Sequence, residues 1–282
     1  MNEAGPAASY AVRYEQSTGR YGMKKGIMII GHGSRYNYNK WVIEEQKRRL
    51  EEKGFENVYI GFSETTYPLV RDVLKEMASD DIEEITAVPF FIASGLHVAR
   101  DIPDKLGIPP GSDGGTVSVN GKKVRIRYER PFGRDPALAA ILSERIQELS
   151  DGGDGGILVI GHGSRLPHNK ETIVFQAGEL KKMGYCNVRY AFNEFDEPRA
   201  EDVFDEMLSE GIEEIIVLPL FISLGAHLKH DVPWKIMLKN GMTEDALLIG
   251  GRSVTVKYAA PIGSDPRLTD LIAERIRGKE RI

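Results

Sequence analysis

Cysteine is almost missing from this chain: Cys186 is the single one among 282 residues. That excludes an internal disulfide and a thiolate metal cage, and it suits a reducing cytosol. Long hydrophobic runs are missing too. No apolar stretch approaches the roughly 18–20 residues of a membrane span, so no membrane partner is expected. Positive charge is not in excess, with 37 Lys and Arg against 42 Asp and Glu and a net charge of -5. A general nucleic-acid binder needs a basic surface, so that class is excluded, while an anionic small ligand on a local basic cluster is not. The first 25 residues are polar and lack the continuous apolar core of a secretory signal. They read as a disordered N-terminal extension (1–25), and Met23 is an alternative start. Hydrophobic content of 41% and charged content of 28% are otherwise those of an ordinary soluble domain.

Histidine is scarce as well, with six residues, and four of them are placed by a repeat. The stretch IMIIGHGSR, from Ile27, returns as ILVIGHGSR, from Ile157. His32 and His162 are 130 positions apart, as are Glu64 and Glu194, His97 and His227, and Asp101 and Asp231. The prolines Pro68/Pro198, Pro89/Pro219, Pro103/Pro233 and Pro131/Pro261 keep the same offset of 130. A constant offset over a hundred residues marks a duplicated domain, not a solenoid unit. The glycine-rich SDGGDGG, Ser150 to Gly156, reads as the hinge. Two units are expected, over 26–150 and 156–278.

Each unit alternates strand and helix patterns. Gly26–Ile30 and Ile157–Ile160 are short continuous apolar runs, as in strands buried on both faces. Lys40–Lys53 and Lys170–Met183 read as helices closed by glycine. NVYIGF and NVRYAF are strands, and Leu69–Ala78 and Arg199–Leu208 helices preceded by proline. EEITAVPFFI and EEIIVLPLFI are strands whose internal proline suggests a bulge. Hairpins are expected at Asn120-Gly121 and Gly250-Gly251. Asp135-Pro136 and Asp265-Pro266 look like helix N-caps with a first-turn proline. The sum is an α/β fold: two similar flavodoxin- or Rossmann-like domains, with parallel sheets flanked by helices. A pseudo-twofold is expected between them, with strand ends facing across a shared cleft.

Ligands of such sheets bind beyond the carboxyl ends of the strands. His32 lies just past the first strand, between Gly31 and Gly33. Glu64 ends the second strand, and His97 follows the third at the start of a helix. His162, Glu194 and His227 repeat the set. Imidazole and carboxylate suit borderline divalent metals such as Co²⁺, Ni²⁺, Fe²⁺ or Zn²⁺, and imidazole accepts protons near neutral pH. A histidine in a lone HGS turn can equally be a packed turn residue, and the glutamates can be solvated carboxylates.

These motifs resemble the class II chelatases of tetrapyrrole synthesis, of the CbiX/SirB sirohydrochlorin chelatase type. The carriers are strand-GHGSR, the Phe62-Ser63-Glu64 to Pro68 and Phe192-Asn193-Glu194 to Pro198 segments, and PFFIASGLHVARDIP and PLFISLGAHLKHDVP. The resemblance covers Gly26 to about Gly278 and implies a chelatase fold and a lyase activity. It implies that His32, His97, His162 and His227 bind the incoming metal and accept pyrrole protons, with Glu64 and Glu194 assisting. The metal is a substrate, Co²⁺ first and Ni²⁺ next, for cobalamin or coenzyme F430-type synthesis, and no bound organic cofactor is expected. Sirohydrochlorin is anionic, so Ser34, Arg35, Arg100, Ser164, Arg165 and Lys229 are candidates for its carboxylates. Lys40, Lys105, Arg130, Lys170, His230 and Lys235 are further basic candidates. Half-length members of the family work as homodimers. Long members usually keep the histidine pair in one half, whereas this chain has it in both. It is expected to act as an intramolecular pseudo-dimer, as a monomer or a homodimer. The competing readings are a ferrochelatase for siroheme and a non-catalytic metal or tetrapyrrole carrier.

Overall fold

A computed structural model of the chain describes residues 22–34, 37–150, 152, 155–223, 230–239 and 241–278. Most of the expected N-terminal extension, and Arg35, His227 and Lys229, lie outside the described residues. The first half runs β1 (Lys25–Gly31), α1 (Tyr38–Glu52), β2 (Val58–Phe62), α2 (Val70–Ser79) and β3 (Glu84–Pro89). A π-helical turn (His97–Asp101) leads into α3 (Ile102–Leu106), then β4 (Gly114–Val119), β5 (Lys122–Tyr128) and α4 (Pro136–Leu149). The second half repeats this with β6 (Gly156–Gly161), α5 (Pro167–Lys182), β7 (Val188–Phe192), α6 (Ala200–Ser209) and β8 (Glu214–Pro219). It closes with α7 (Val232–Lys235), β9 (Glu244–Ile249), β10 (Arg252–Tyr258) and α8 (Pro266–Ile276).

Each half holds a five-stranded sheet, in the order β2-β1-β3-β5-β4 and β7-β6-β8-β10-β9. The apolar run of β1 puts Met28, Ile29 and Ile30 out of contact with water on both faces, as a central parallel strand requires. The sheets are not wholly parallel. β4 and β9 return antiparallel beside β5 and β10, because a two-residue turn can only reverse the chain. The internal prolines make no bulge. Pro89 and Pro219 are the last residues of β3 and β8, where a missing N–H costs no ladder bond, and the strands stop there rather than running on to Ile92 and Ile222. The N-caps form as read: the Asp135 carboxylate accepts from the Ala137 N–H at 2.9 Å, and that of Asp265 from Arg267 N–H at 3.0 Å.

One hydrophobic core belongs to both halves. Ile43, Leu50, Leu138 and Leu142 of the first share it with Ile173, Leu180, Leu268 and Ile272 of the second. The opposite face of each sheet has its own core, under α2 and α3 or under α6 and α7. Polar contacts across the shared core are reciprocal. Gln46 Nε2 donates to the Gly263 carbonyl at 2.9 Å, and Gln176 Nε2 to that of Gly133 at 2.8 Å. Arg145 donates to the Ala260 carbonyl at 2.6 Å, and Arg275 reaches the Arg130 carbonyl and the Asp135 carboxylate in return. Arg127 caps the end of α8 through the carbonyls of Arg275 and Ile276, and Lys257 caps α4 through that of Leu149. Reciprocity of this kind is the signature of a pseudo-twofold axis. The halves are joined by a helix-lined core on one face of each sheet.

Candidate metal centre

In each sheet the chain order reverses around the first strand of the half, with β2 on one side of β1 and β3 on the other. The crevice beyond the ends of β1 and β3 is therefore the place for a ligand. His32 follows β1, Glu64 follows β2, and His97 follows β3. The topology brings three residues separated by up to 65 positions to one corner.

Local geometry holds them there. Gly33 has φ +92°, and a Cβ on it would lie 1.7 Å from the Glu64 carbonyl oxygen. Only glycine lets the histidine turn and the glutamate turn touch. Glu64 N–H donates to the His32 carbonyl at 3.0 Å, which ties the two segments together. The Thr66 N–H then donates back to the Glu64 carbonyl at 2.6 Å, closing a γ-turn with Thr65 at φ 63°.

The donors point inward. His32 Nδ1 lies 2.8 Å from the Gly33 carbonyl, a partner that can only accept, so Nδ1 carries the proton and Nε2 offers its lone pair. That Nε2 lies 3.2 Å from His97 Nε2 and 3.3 Å from a Glu64 carboxylate oxygen. Two ligand atoms on one tetrahedral metal with bonds of about 2.0–2.1 Å stand roughly 3.3–3.4 Å apart. The spacing is that of a metal site. The three donor atoms all lie within 4.8 Å of one another. The far nitrogen of His97 lies 2.9 Å from an Asp101 carboxylate oxygen, at ion-pair distance although off the angle of a hydrogen bond. A carboxylate behind a ligand histidine fixes its ring and tautomer. The π-helical turn places Asp101 directly over His97. The His32, Glu64 and His97 side chains are 42%, 48% and 40% exposed, so a large flat ligand can reach all three.

The second half repeats the frame. Gly163 has φ +86°, and a Cβ there would lie 1.6 Å from the Glu194 carbonyl. Glu194 N–H donates to the His162 carbonyl at 2.9 Å, and His162 Nδ1 sits 3.0 Å from the Gly163 carbonyl.

The backbone amides of the two serine turns have acceptors inside the protein. The Ser34 N–H is taken by the Thr66 hydroxyl at 2.9 Å, and that of Ser164 by the Asp196 carboxylate at 3.1 Å. Ser164 Oγ accepts from Leu166 N–H at 3.1 Å. An amide that already has an internal acceptor gains nothing from a ligand carboxylate. Lys235 is also engaged, pairing with Glu201 at 3.0 Å while 13% exposed, and Lys105 donates to Ser63 at 2.8 Å. Arg100 is 71% exposed on the turn that carries His97, and the Arg165 guanidinium lies 5.6 Å from the Phe195 ring. Asp101 was visible in the repeat, but a carboxylate four residues after a histidine says nothing until the helix geometry brings it to His97.

The CbiX family model matches residues 26–149 and again 156–279. This chain belongs to the CbiX family. Among CbiX relatives, the sirohydrochlorin cobaltochelatase of Methanococcoides burtonii is 37% identical over 127 residues, covering 45% of this chain and 97% of the relative. A Halobacterium salinarum protein named probable sirohydrochlorin cobaltochelatase is 26% identical over 272 residues, covering 89% of this chain and 90% of that one. SirB from Bacillus subtilis with Fe³⁺ superposes with a TM-score of 0.68 at 22% identity, covering 90% of this chain and 95% of that one, and shows the same CbiX fold. No helix among the described residues is long and apolar enough to cross a membrane.

Proposed function

We propose that this chain is a cytoplasmic sirohydrochlorin chelatase that inserts Co²⁺, with Ni²⁺ as second choice, into the free macrocycle. Its halves, 26–150 and 156–278, act as an intramolecular pseudo-dimer. The carrying observation is the convergence of His32 Nε2, His97 Nε2 and a Glu64 oxygen at metal-ligand spacing, on a face open to a planar substrate. The names of the half-length relatives agree with it and favour cobalt over iron.

The metal is a substrate, held by two imidazoles and a carboxylate with positions left open toward the macrocycle. An open site can release its ion, whereas a closed four-ligand cage would keep it. As ring nitrogens replace the protein donors, two pyrrole protons must leave. Each imidazole that gives up the metal regains a lone pair at the right place to take one. One dication enters and two protons depart, so charge balances. Asp101 holds the His97 ring in register throughout. Arg100 and the Arg165 guanidinium are the described candidates to pair with the substrate's peripheral carboxylates; Arg35 and Lys229 are candidates by sequence alone. The second half offers His162, His227 and Glu194 for a second site of the same kind.

The test is anaerobic mixing of the protein with sirohydrochlorin and Co²⁺, Ni²⁺ or Fe²⁺, followed in the visible spectrum. Insertion faster than the uncatalysed rate is expected, fastest with Co²⁺. Binding of the macrocycle without acceleration would make the chain a carrier.

A further inference from the structure

The two sites differ at the residue after the glutamate. In the first half it is Thr65, and in the second it is Phe195. Both close the same γ-turn, with φ 63° and 61°. The Asp196 N–H bonds back to the Glu194 carbonyl at 2.7 Å, as Thr66 does to Glu64. A bulky side chain at positive φ is strained, and such strain collects at ligand sites. Phe195 is also 56% exposed. Its ring lies parallel to the His162 imidazole, 25° apart with centroids at 6.1 Å. The Arg165 guanidinium sits 5.6 Å from its centre. An aromatic face, a cation and a candidate ligand histidine thus meet on one open surface. That chemistry fits a flat conjugated ring with anionic substituents: the ring stacks on Phe195 and a carboxylate pairs with Arg165.

We infer that Phe195 is a stacking residue that makes the second site bind the macrocycle more tightly than the first, without changing its hold on metal. The inference rests on the chelatase reading for the identity of the macrocycle. It does not rest on turnover. Thr65 offers no ring at the matching position of the first site.

The experiment titrates the full chain with metal-free sirohydrochlorin and, separately, with Co²⁺ alone. Wild type should show two macrocycle-binding phases. Phe195→Thr should weaken the tighter one about five- to tenfold, Phe195→Tyr should preserve it, and Thr65→Phe should tighten the weaker one. Co²⁺ affinity should stay unchanged in all three. Unchanged isotherms in Phe195→Thr and Thr65→Phe would overturn the inference. So would a parallel loss of Co²⁺ binding in Phe195→Thr, because that would mean Phe195 merely props the His162 ring. If wild type binds the macrocycle but never accelerates insertion, the chelatase reading fails while these isotherms still decide the role of Phe195. If wild type binds no macrocycle, both fall.

Discussion

The two halves of this chain agree in backbone and disagree in side chains. Each bends through a left-handed glycine against a glutamate carbonyl, Gly33 on Glu64 and Gly163 on Glu194. Each caps its neighbour's last helix with a basic residue from its own sheet. Yet the capping residue is Arg127 in one half and Lys257 in the other. Thr66 ties the serine turn in the first, Asp196 in the second. Thr269 donates to the Gln46 amide oxygen at 2.6 Å, whereas the repeat puts Ala139 at the matching position of the first half, and Gln176 Oε1 is buried without a partner among the described residues. Geometry that sets the histidine and glutamate turns is repeated closely. Residues that only need to satisfy a polar group vary freely in how they do it.

The sharpest way to break the equivalence is to remove ligands. His32→Ala with His97→Ala, and His162→Ala with His227→Ala, should each leave about half the insertion rate. All four changes together should lower it at least about a hundredfold. If one pair alone abolishes turnover, the other half is a scaffold. The next effect is on stability. Lys257 is 5% exposed, pairs with Glu214 at 2.9 Å and caps α4 through the Leu149 carbonyl, so Lys257→Met removes a buried cation from a half-buried carboxylate and a helix end. A loss of about 3–5 kcal/mol in denaturant unfolding is expected. Arg127→Met, at a 39% exposed position, should cost about 1 kcal/mol.

A smaller effect depends on pH. Burial works to raise the Asp265 pKa, but hydrogen bonds from Arg267, helped by the charge of Arg145, hold it below the ordinary value. Its stabilisation is therefore complete above the unfolded pKa of about 3.9 and is lost as pH falls through the lower folded value. Asp265→Asn should cost about 2 kcal/mol at neutral pH. The deficit should shrink between about pH 4 and the acid unfolding limit, which thermal melts across that range would reveal. Smallest is a repair: Ala139→Thr should give Gln176 the donor that Gln46 has, raising stability by about 1 kcal/mol in the same unfolding assay.

Much of the site was legible in sequence because the repeat acts as an internal control. The offset that pairs His32 with His162 also pairs Glu64 with Glu194, and strand-end placement then brings each set to one edge. The helices fell within a few residues of their observed ends. What escaped depends on relations the local pattern does not carry. Gln46 and Gln176 sit on buried helical faces, and only the other half supplies carbonyls for them. Pro89 read as a bulge because apolar residues continue past it, although the strand ends there. The acceptor of the Ser34 amide, Thr66, lies 32 residues away across the turn, beyond any local pattern. Nothing in the string sets Phe195 apart, since exposure and positive φ are invisible there.

The shared core has a consequence for how such a protein can change. In a symmetric dimer of identical chains every substitution at the interface is made twice, so each position must suit its own mirror partner. Here α1 and α5, or α4 and α8, occupy mirrored places yet are separately encoded. A change such as threonine at 269 can settle on one side of the axis while alanine stays at 139 on the other. Joining the halves into one chain turned a surface that had to be self-complementary into one that only had to be complementary. It also leaves the two strand-end corners free to drift toward different tasks while remaining bolted to the same frame.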